Sequence, residues 1–92
     1  MKDDILLVGN KPFINYIRSL ELIFKQKNKE VVTLVARGQN MKKAIDITEA
    51  SRNKFLNHLN IAIQNIKIST EKFYDENEIE RSVSCIQITL TK

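Results

Sequence analysis

Apolar residues change their spacing several times along this chain, and the changes mark an order of strands and helices. Residues 5–8 form a continuous apolar run closed by Gly9, which predicts a short strand buried on both faces. Pro12 fits the first position of a helix, where its missing N–H costs nothing. Apolar residues then recur every three or four positions over residues 13–24, so an amphipathic helix follows the first strand.

A second strand and a second helix follow in the same order. Residues 31–36 are rich in β-branched and apolar side chains on both parities, which predicts a central strand with a neighbour on each side. Asn40 is a residue type that caps helices, and the periodic segment after it predicts a helix that ends near Leu56.

The last third of the chain predicts two long strands joined as a hairpin. The alternation of apolar residues changes parity between Ile63 and Ile66, which predicts a bulge near residues 64–65. Residues 83–90 also alternate, as expected if this strand twists around the one before it. Residues 75–78, D-E-N-E, form the predicted tip of the hairpin, which is acidic.

The element order is therefore β-α-β-α-β-β, which predicts a two-layer α/β sandwich. A right-handed parallel crossover comes first, an antiparallel hairpin comes last, and both helices cover one face of a mixed four-stranded sheet. The 92 residues suffice for a single domain over 1–92. A chain this small buries only roughly 60–65% of its unfolded surface, so pairing with a second subunit is expected.

The composition limits the classes of function. A net charge of +4 favours an anionic partner, and no apolar run is long enough to cross a bilayer. The first eight residues do not have the pattern of a signal peptide, so a cytoplasmic protein without membrane contact is expected. With one cysteine, no disulfide can form within the chain.

Enzymatic and metal-binding roles are disfavoured. His58 and Cys85 would make a nucleophile and base, but no third orienting group or oxyanion site accompanies them. The acidic residues between 75 and 80 lack the glycine and ligand spacing of a calcium loop, so a solvated turn is the better interpretation. We therefore expect a non-enzymatic protein without a metal or cofactor.

Four basic residues fall near the ends of neighbouring elements. Lys11 lies at the start of the first helix, Arg37 at the end of the second strand, and Lys42 and Lys43 in the first turn of the second helix. All four can reach one edge of the sheet, where loop amides and helix N-termini also favour phosphate oxygens. From spacing alone, lysines that merely keep the protein soluble remain an equal alternative.

Three blocks of sequence resemble the Alba family of archaeal chromatin proteins. Residues 8–16, V-G-N-K-P-F-I-N-Y, are similar to the family's opening segment I-G-K-K-P-V-M-N-Y. Residues 36–46, A-R-G-Q-N-M-K-K-A-I-D, and residues 52–56, R-N-K-F-L, are similar to its A-R-G-x-x-x-x-K-A-V-D and R-N-R-F motifs. Residues 83–88, V-S-C-I-Q-I, resemble its V-S-x-I-E-I strand, so the match runs in register from about residue 5 to the end.

The resemblance implies a fold shared with the C-terminal domain of translation initiation factor three and a homodimer that coats duplex DNA. Expected functions are sequence-independent binding of double-stranded DNA and chromatin compaction through phosphate contacts, with the protein in the cytoplasm on the chromosome. Two alternatives remain open. One is an RNA-binding protein of the same fold, and the other is a protein-interaction module that binds no nucleic acid.

The resemblance also implies residue roles at the basic edge. Lys11 matches the second lysine of the family's pair, whereas Asn10 replaces the first, which some members acetylate, so acetylation is not implied here. Arg37 matches the arginine of A-R-G, and Gln39 stands where many members have another basic residue. Lys43 matches the motif lysine, ranked below the first two. The expectation depends on Lys11 and Arg37 sharing one face, free of carboxylates.

Further roles concern the two helices and the hairpin. Asp46 can pair with Lys42 or Lys43 along the helix. Family hairpins reach along the minor groove with basic tips, whereas this tip is acidic, so contacts should shift to Lys72 and Arg81 with shorter reach or weaker affinity. Phe55 matches an aromatic residue that helps neighbouring dimers associate on DNA, although an amphipathic helix often buries such a residue anyway.

Overall fold

The computed structural model describes residues 4–92 and confirms the predicted order of elements. The first eight residues, in which the sequence shows no signal-peptide pattern, lie partly outside the described residues. The strands and helices are β1 (Asp4–Val8), α1 (Phe13–Glu21), β2 (Val31–Arg37), α2 (Met41–Ala50), β3 (Ala62–Tyr74) and β4 (Glu80–Thr91). π-helical turns at Leu22–Gln26 and Ser51–Phe55 extend the two helices, so the second ends beside Leu56, as predicted.

The four strands form one mixed sheet in the order β1-β2-β4-β3. β1 runs parallel to β2, and β4 runs antiparallel to both of its neighbours, β2 and β3. β2 is therefore a central strand, as its composition predicted, and β1 and β3 are the two edges. Within residues 4–92, no helix is both long and apolar enough to span a bilayer.

Both helices pack on one face of the sheet and form the core with it. Leu20 and Phe24 from the first helix and Ile47 from the second are fully buried, together with Leu34 and Leu90 from the strands. Each such side chain contributes about 1.5–3 kcal/mol on leaving water, which is enough to hold the layers together. In the described part of the chain, the opposite face of the sheet carries no helix.

The prediction that β1 is buried on both faces is wrong. Ile5 is 62% exposed and Leu7 64% exposed, while Val8 is buried. The cause is the sheet order, because β1 is an edge strand and the helices cover only one of its faces. A short apolar run does not reveal whether its strand lies at the centre or at the edge.

Both predicted helix starts differ in detail from the structure. α1 begins at Phe13, and Pro12 is the cap residue, with φ −59° and ψ 146°. Asn40 precedes α2 but makes no capping hydrogen bond with its side chain. Its backbone is already helical because it ends the short 3₁₀ turn Gly38–Asn40, whereas a capping side chain normally needs an extended backbone.

The hairpin of β3 and β4 extends beyond the rest of the sheet. Its register shifts between Ile63 and Asn65, which confirms the predicted bulge. The last pair with β2 is Arg37 with Cys85, whereas β3 and β4 stay paired as far as Tyr74 and Glu80. At ~3.3 Å per residue, a two-stranded arm of about 15 Å projects from the domain.

Candidate nucleic-acid interface

The predicted edge residues lie together because the two parallel strands end at the same side of the sheet. Val8 pairs with Ala36, so the loop after β1 and the turn after β2 are neighbours. We call residues 9–12 and 37–43 the cationic edge. The sequence-predicted residues that the cationic edge contains are Asn10, Lys11, Arg37, Gln39, Lys42 and Lys43.

Lys43 turns its ammonium group inward onto the loop after β1. Its Nζ donates to the carbonyl oxygens of Gly9 at 2.7 Å and Lys11 at 3.0 Å, and it lies 5.8 Å from the centre of the Tyr16 ring. The Tyr16 hydroxyl in turn accepts hydrogen bonds from the backbone N–H of Gly9 at 2.8 Å and of Lys11 at 3.2 Å. These two side chains therefore fix the backbone that carries Lys11.

The Lys11 side chain has no charged partner among the described residues. It is exposed, and within residues 4–92 no carboxylate lies in ion-pair distance of its ammonium group. A cavity of about 600 Å³ between β1 and α1 adjoins it, and Arg18 lines the same cavity. Arg18 is also exposed and is a cation that the sequence reasoning missed, because it occurs in none of the family motifs.

Arg37 is already paired, and the expectation that it is free of carboxylates is wrong. Its Nε donates to Glu71 Oε1 at 2.7 Å and its Nη2 to Glu71 Oε2 at 3.2 Å. The hydrogen bond from Arg37 lowers the pKa of Glu71, and the same bond raises the pKa of Arg37. Both side chains are about half exposed, so water and salt screen the pair, and a phosphate can exchange with the carboxylate.

Lys42 is paired as well, although its side chain is 85% exposed. Its Nζ donates to Asp46 Oδ2 at 2.7 Å, one helical turn further on. This is one of the two pairings predicted for Asp46, and Lys43 is not its partner. Gln39 and Asn10 are adjacent to these cations and offer amides rather than charge.

The hairpin residues do not form one basic patch. Arg81 donates from Nε to Asp75 Oδ2 at 2.8 Å, and this bond lowers the pKa of Asp75, with further help from the backbone N–H of Ile79. Arg81 lies opposite Phe73, and Lys72 lies opposite Ser82. Because side chains alternate along a strand, Lys72 and Arg81 point to opposite faces of the arm.

The remaining residues singled out from the sequence are Phe55, His58 and Cys85. Phe55 is 42% exposed at the end of the second helix, so the core does not bury it. His58 is exposed on a short turn and Cys85 is buried in the sheet. Within residues 4–92, no three His, Cys, Asp or Glu side chains approach closely enough to share a metal ion.

Sequence reasoning missed two side chains that shape the cationic edge, Tyr16 and Glu71. Tyr16 belonged to the apolar stripe of the first helix, and nothing in its spacing indicates a hydroxyl aimed at a loop. Glu71 lies in a long strand, and its pairing with Arg37 depends on the hairpin register. The sequence could have indicated this ion pair only if the register between β3 and β4 had been known beforehand.

The mixed sheet, the paired helices, the cationic edge and the projecting hairpin define a class of small basic α/β proteins. The family model described as Alba matches residues 4–70, and the chain belongs to the Alba family. It is 40% identical over 91 residues to the DNA/RNA-binding protein Alba of Methanothrix thermoacetophila, covering 99% of this chain and 98% of the relative.

Other relatives give the same result. The DNA/RNA-binding protein Alba of Methanocella arvoryzae is 37% identical over 99% of this chain and 92% of its own length. The solved structure of Alba from Thermoplasma volcanium superposes with a TM-score of 0.86 at 32% identity, covering 97% of this chain and 100% of that one. Membership in a family of binding proteins agrees with the expectation of a non-enzymatic protein.

Proposed function

We propose that this protein is a homodimer that binds double-stranded DNA without sequence preference and compacts it, in the cytoplasm and on the chromosome. The observation that carries the proposal is the free ammonium group of Lys11, exposed on a braced loop at the cationic edge. Phosphate contacts of this kind position a protein without reading bases. The curated relatives are named as DNA/RNA-binding proteins, which supports the same class of partner.

The exposed apolar residues of β3 support a homodimer. Ile63, Ile66 and Ile68 lie on the helix side of the sheet, opposite buried residues of β4, yet they are 36%, 52% and 73% exposed because no helix covers them. A contiguous apolar surface of this kind is typical of protein interfaces. A second copy related by a two-fold axis covers the surface of both subunits at once.

A dimer also doubles each cation of the interface. Two copies of Lys11 supply free charge, while Arg37, Lys42 and Arg81 contribute once phosphates replace their carboxylate partners. Phe55, exposed on each subunit, is available for contact between dimers on one duplex. This contact would extend the coating along the DNA.

A salt titration tests the proposal. If a dimer neutralises about six phosphates, log affinity falls with log salt at a slope near −5, at ~0.9 per contact. Duplexes of unrelated sequence should bind with equal affinity. A flat salt response rejects the phosphate mechanism, and an elution volume unchanged by DNA would favour a module that binds proteins instead.

A second candidate is RNA binding by the same surface, which the names of the curated relatives favour. RNA duplexes differ from DNA in groove shape and carry 2′-hydroxyl groups. Competition between RNA and DNA duplexes of matched sequence therefore decides between the two. Preferential displacement of DNA by RNA would make RNA the principal partner.

A further inference from the structure

The loop that carries Lys11 is held by side chains from outside it. The four backbone polar atoms of Gly9 and Lys11 are all engaged, the two N–H groups by the Tyr16 hydroxyl and the two carbonyl oxygens by the Lys43 ammonium. Tyr16 is buried, and Lys43 comes from the first turn of α2. We call this arrangement the loop clamp.

The chemistry of the ammonium group argues against a direct phosphate contact by Lys43. It has three N–H donors, and two of them already bond carbonyl oxygens. If the side chain swung out to a phosphate, it would leave both oxygens unpaired and facing the anion. Held in place, it neutralises two oxygens that would otherwise repel the phosphate at Lys11.

We infer that Lys43 and Tyr16 are positioning residues, which fix the loop so that Lys11 meets a phosphate, and that Lys43 is not itself a phosphate ligand. The inference rests on the proposed function for its binding consequences. Its structural half, the clamp, can be measured without nucleic acid. A braced loop loses less conformational freedom on binding than a free one, so the clamp adds affinity through Lys11.

A double-mutant cycle separates positioning from contact. Lys43→Met and Lys11→Met should each weaken DNA binding by about tenfold and reduce the salt slope by about 1.8, at ~0.9 for each of two phosphates per dimer. The double variant should bind like Lys11→Met alone. Effects that multiply, with a second loss of about 1.8 in slope, would overturn the inference and make Lys43 a ligand.

A variant that changes no charge provides a second test. Tyr16→Phe changes no charge and removes only the hydroxyl that accepts both loop N–H groups, so weaker binding through it can come only from the loop or from loss of folding. We expect a weaker affinity in the wild-type background, and no effect of Tyr16→Phe when Lys11 is already replaced by Met. Lys25→Met is the charge control, because Lys25 pairs with Glu21 at the far end of α1. Binding by Tyr16→Phe equal to wild type would contradict the positioning role.

Hydrogen exchange of the free protein tests the clamp by itself. The amides of Gly9 and Lys11 should exchange slowly in the wild type and at least about tenfold faster in Tyr16→Phe. Tyr74→Phe, in an exposed residue of the hairpin, should leave both amides unchanged. Fast exchange in the wild type overturns the clamp, whereas slow exchange in a protein without salt-dependent binding would reject only the proposed function. Because it uses no Lys43 variant, this measurement still tests the Tyr16 half of the clamp if Lys43→Met fails to fold.

Discussion

The loop after β1 and the hairpin arm treat the basic residues near them in opposite ways. At the edge, the Lys11 ammonium is free and its loop is clamped by Tyr16 and Lys43. The arm instead supplies carboxylates that occupy two guanidinium groups: Glu71 pairs with Arg37 of the cationic edge, and Asp75 pairs with Arg81 of the hairpin itself. The number of basic residues is therefore a poorer guide to anion binding than whether carboxylates of the same chain already occupy them.

The difference predicts two kinds of phosphate contact. A contact at Lys11 costs no existing ion pair, whereas a contact at Arg37 or Arg81 must first release a carboxylate. Because both carboxylates belong to the hairpin, the arm limits the affinity of these two arginines for a polyanion. Lys11 should therefore account for most of the binding, and the two paired arginines for its adjustment.

The largest expected effect comes from separating the two subunits of the proposed dimer. Ile68→Asp puts a charge in the exposed apolar surface of β3, where Ile68 is 73% exposed, so the dimer should dissociate without loss of the subunit fold. Losing one of two linked edges should weaken DNA binding by about a hundredfold. Light scattering and a binding titration measure both. Ile5→Asp, at a similarly exposed residue on the other edge strand, is the matched control and should remain dimeric.

The next effect tests the edge alone. Lys11→Ala should weaken binding to all duplexes by about tenfold and reduce the salt slope by about 1.8, without changing the melting temperature. The side chain is exposed and makes no ion pair within residues 4–92, so the fold does not depend on it. An equal loss for Lys25→Ala would mean that total charge, and not position, controls binding.

Releasing Arg37 from its carboxylate on the arm should have the opposite sign. Glu71→Gln removes the carboxylate that holds Arg37, so we expect binding to tighten by about threefold and the salt slope to steepen. Glu80→Gln, in the same hairpin without an ion pair in the described residues, controls for the lost negative charge. If both variants tighten binding equally, the negative charge of the hairpin, rather than the Arg37–Glu71 ion pair, limits the affinity for DNA.

The smallest effect is on the acid stability of the arm. The pKa values of Glu71 and Asp75 are lowered by their arginine partners, so these pairs stabilise the folded state above the ordinary carboxyl pKa of about 4 and lose that contribution as pH falls through the lowered values. The melting temperature should stay level from neutral pH to about pH 5 and fall below about pH 4. In Glu71→Gln the fall should be shallower. An unchanged acid limb would mean that the pair adds nothing to stability.

The fold was largely predictable because its signals are local. Periodicity alone indicates the β-α-β-α-β-β order, and the parity change after Ile63 indicates the bulge. The exposure of Ile5 and Leu7 was not predictable, because it depends on which strands lie at the edges. That is a property of the assembled sheet and not of the segment.

The candidate site was predictable in its location but not in its pairing. Arg37 and Lys11 reach the same edge because they follow parallel strands, which the element order already implies. Whether a cation of this edge is free depends on contacts between distant positions, such as Glu71 with Arg37 and Gly9 with Lys43. Such contacts require the register of the hairpin and the approach of α2 to the first loop.

The two-stranded arm has a mechanical consequence. Beyond the pair of Arg37 with Cys85, β3 and β4 continue without a third strand, so bending or twisting there disturbs none of the buried core residues. The arm can follow the curvature of an elongated partner while the body stays rigid. One small domain thereby combines a rigid body with a flexible arm, and the conformation of the arm can change without unfolding the body.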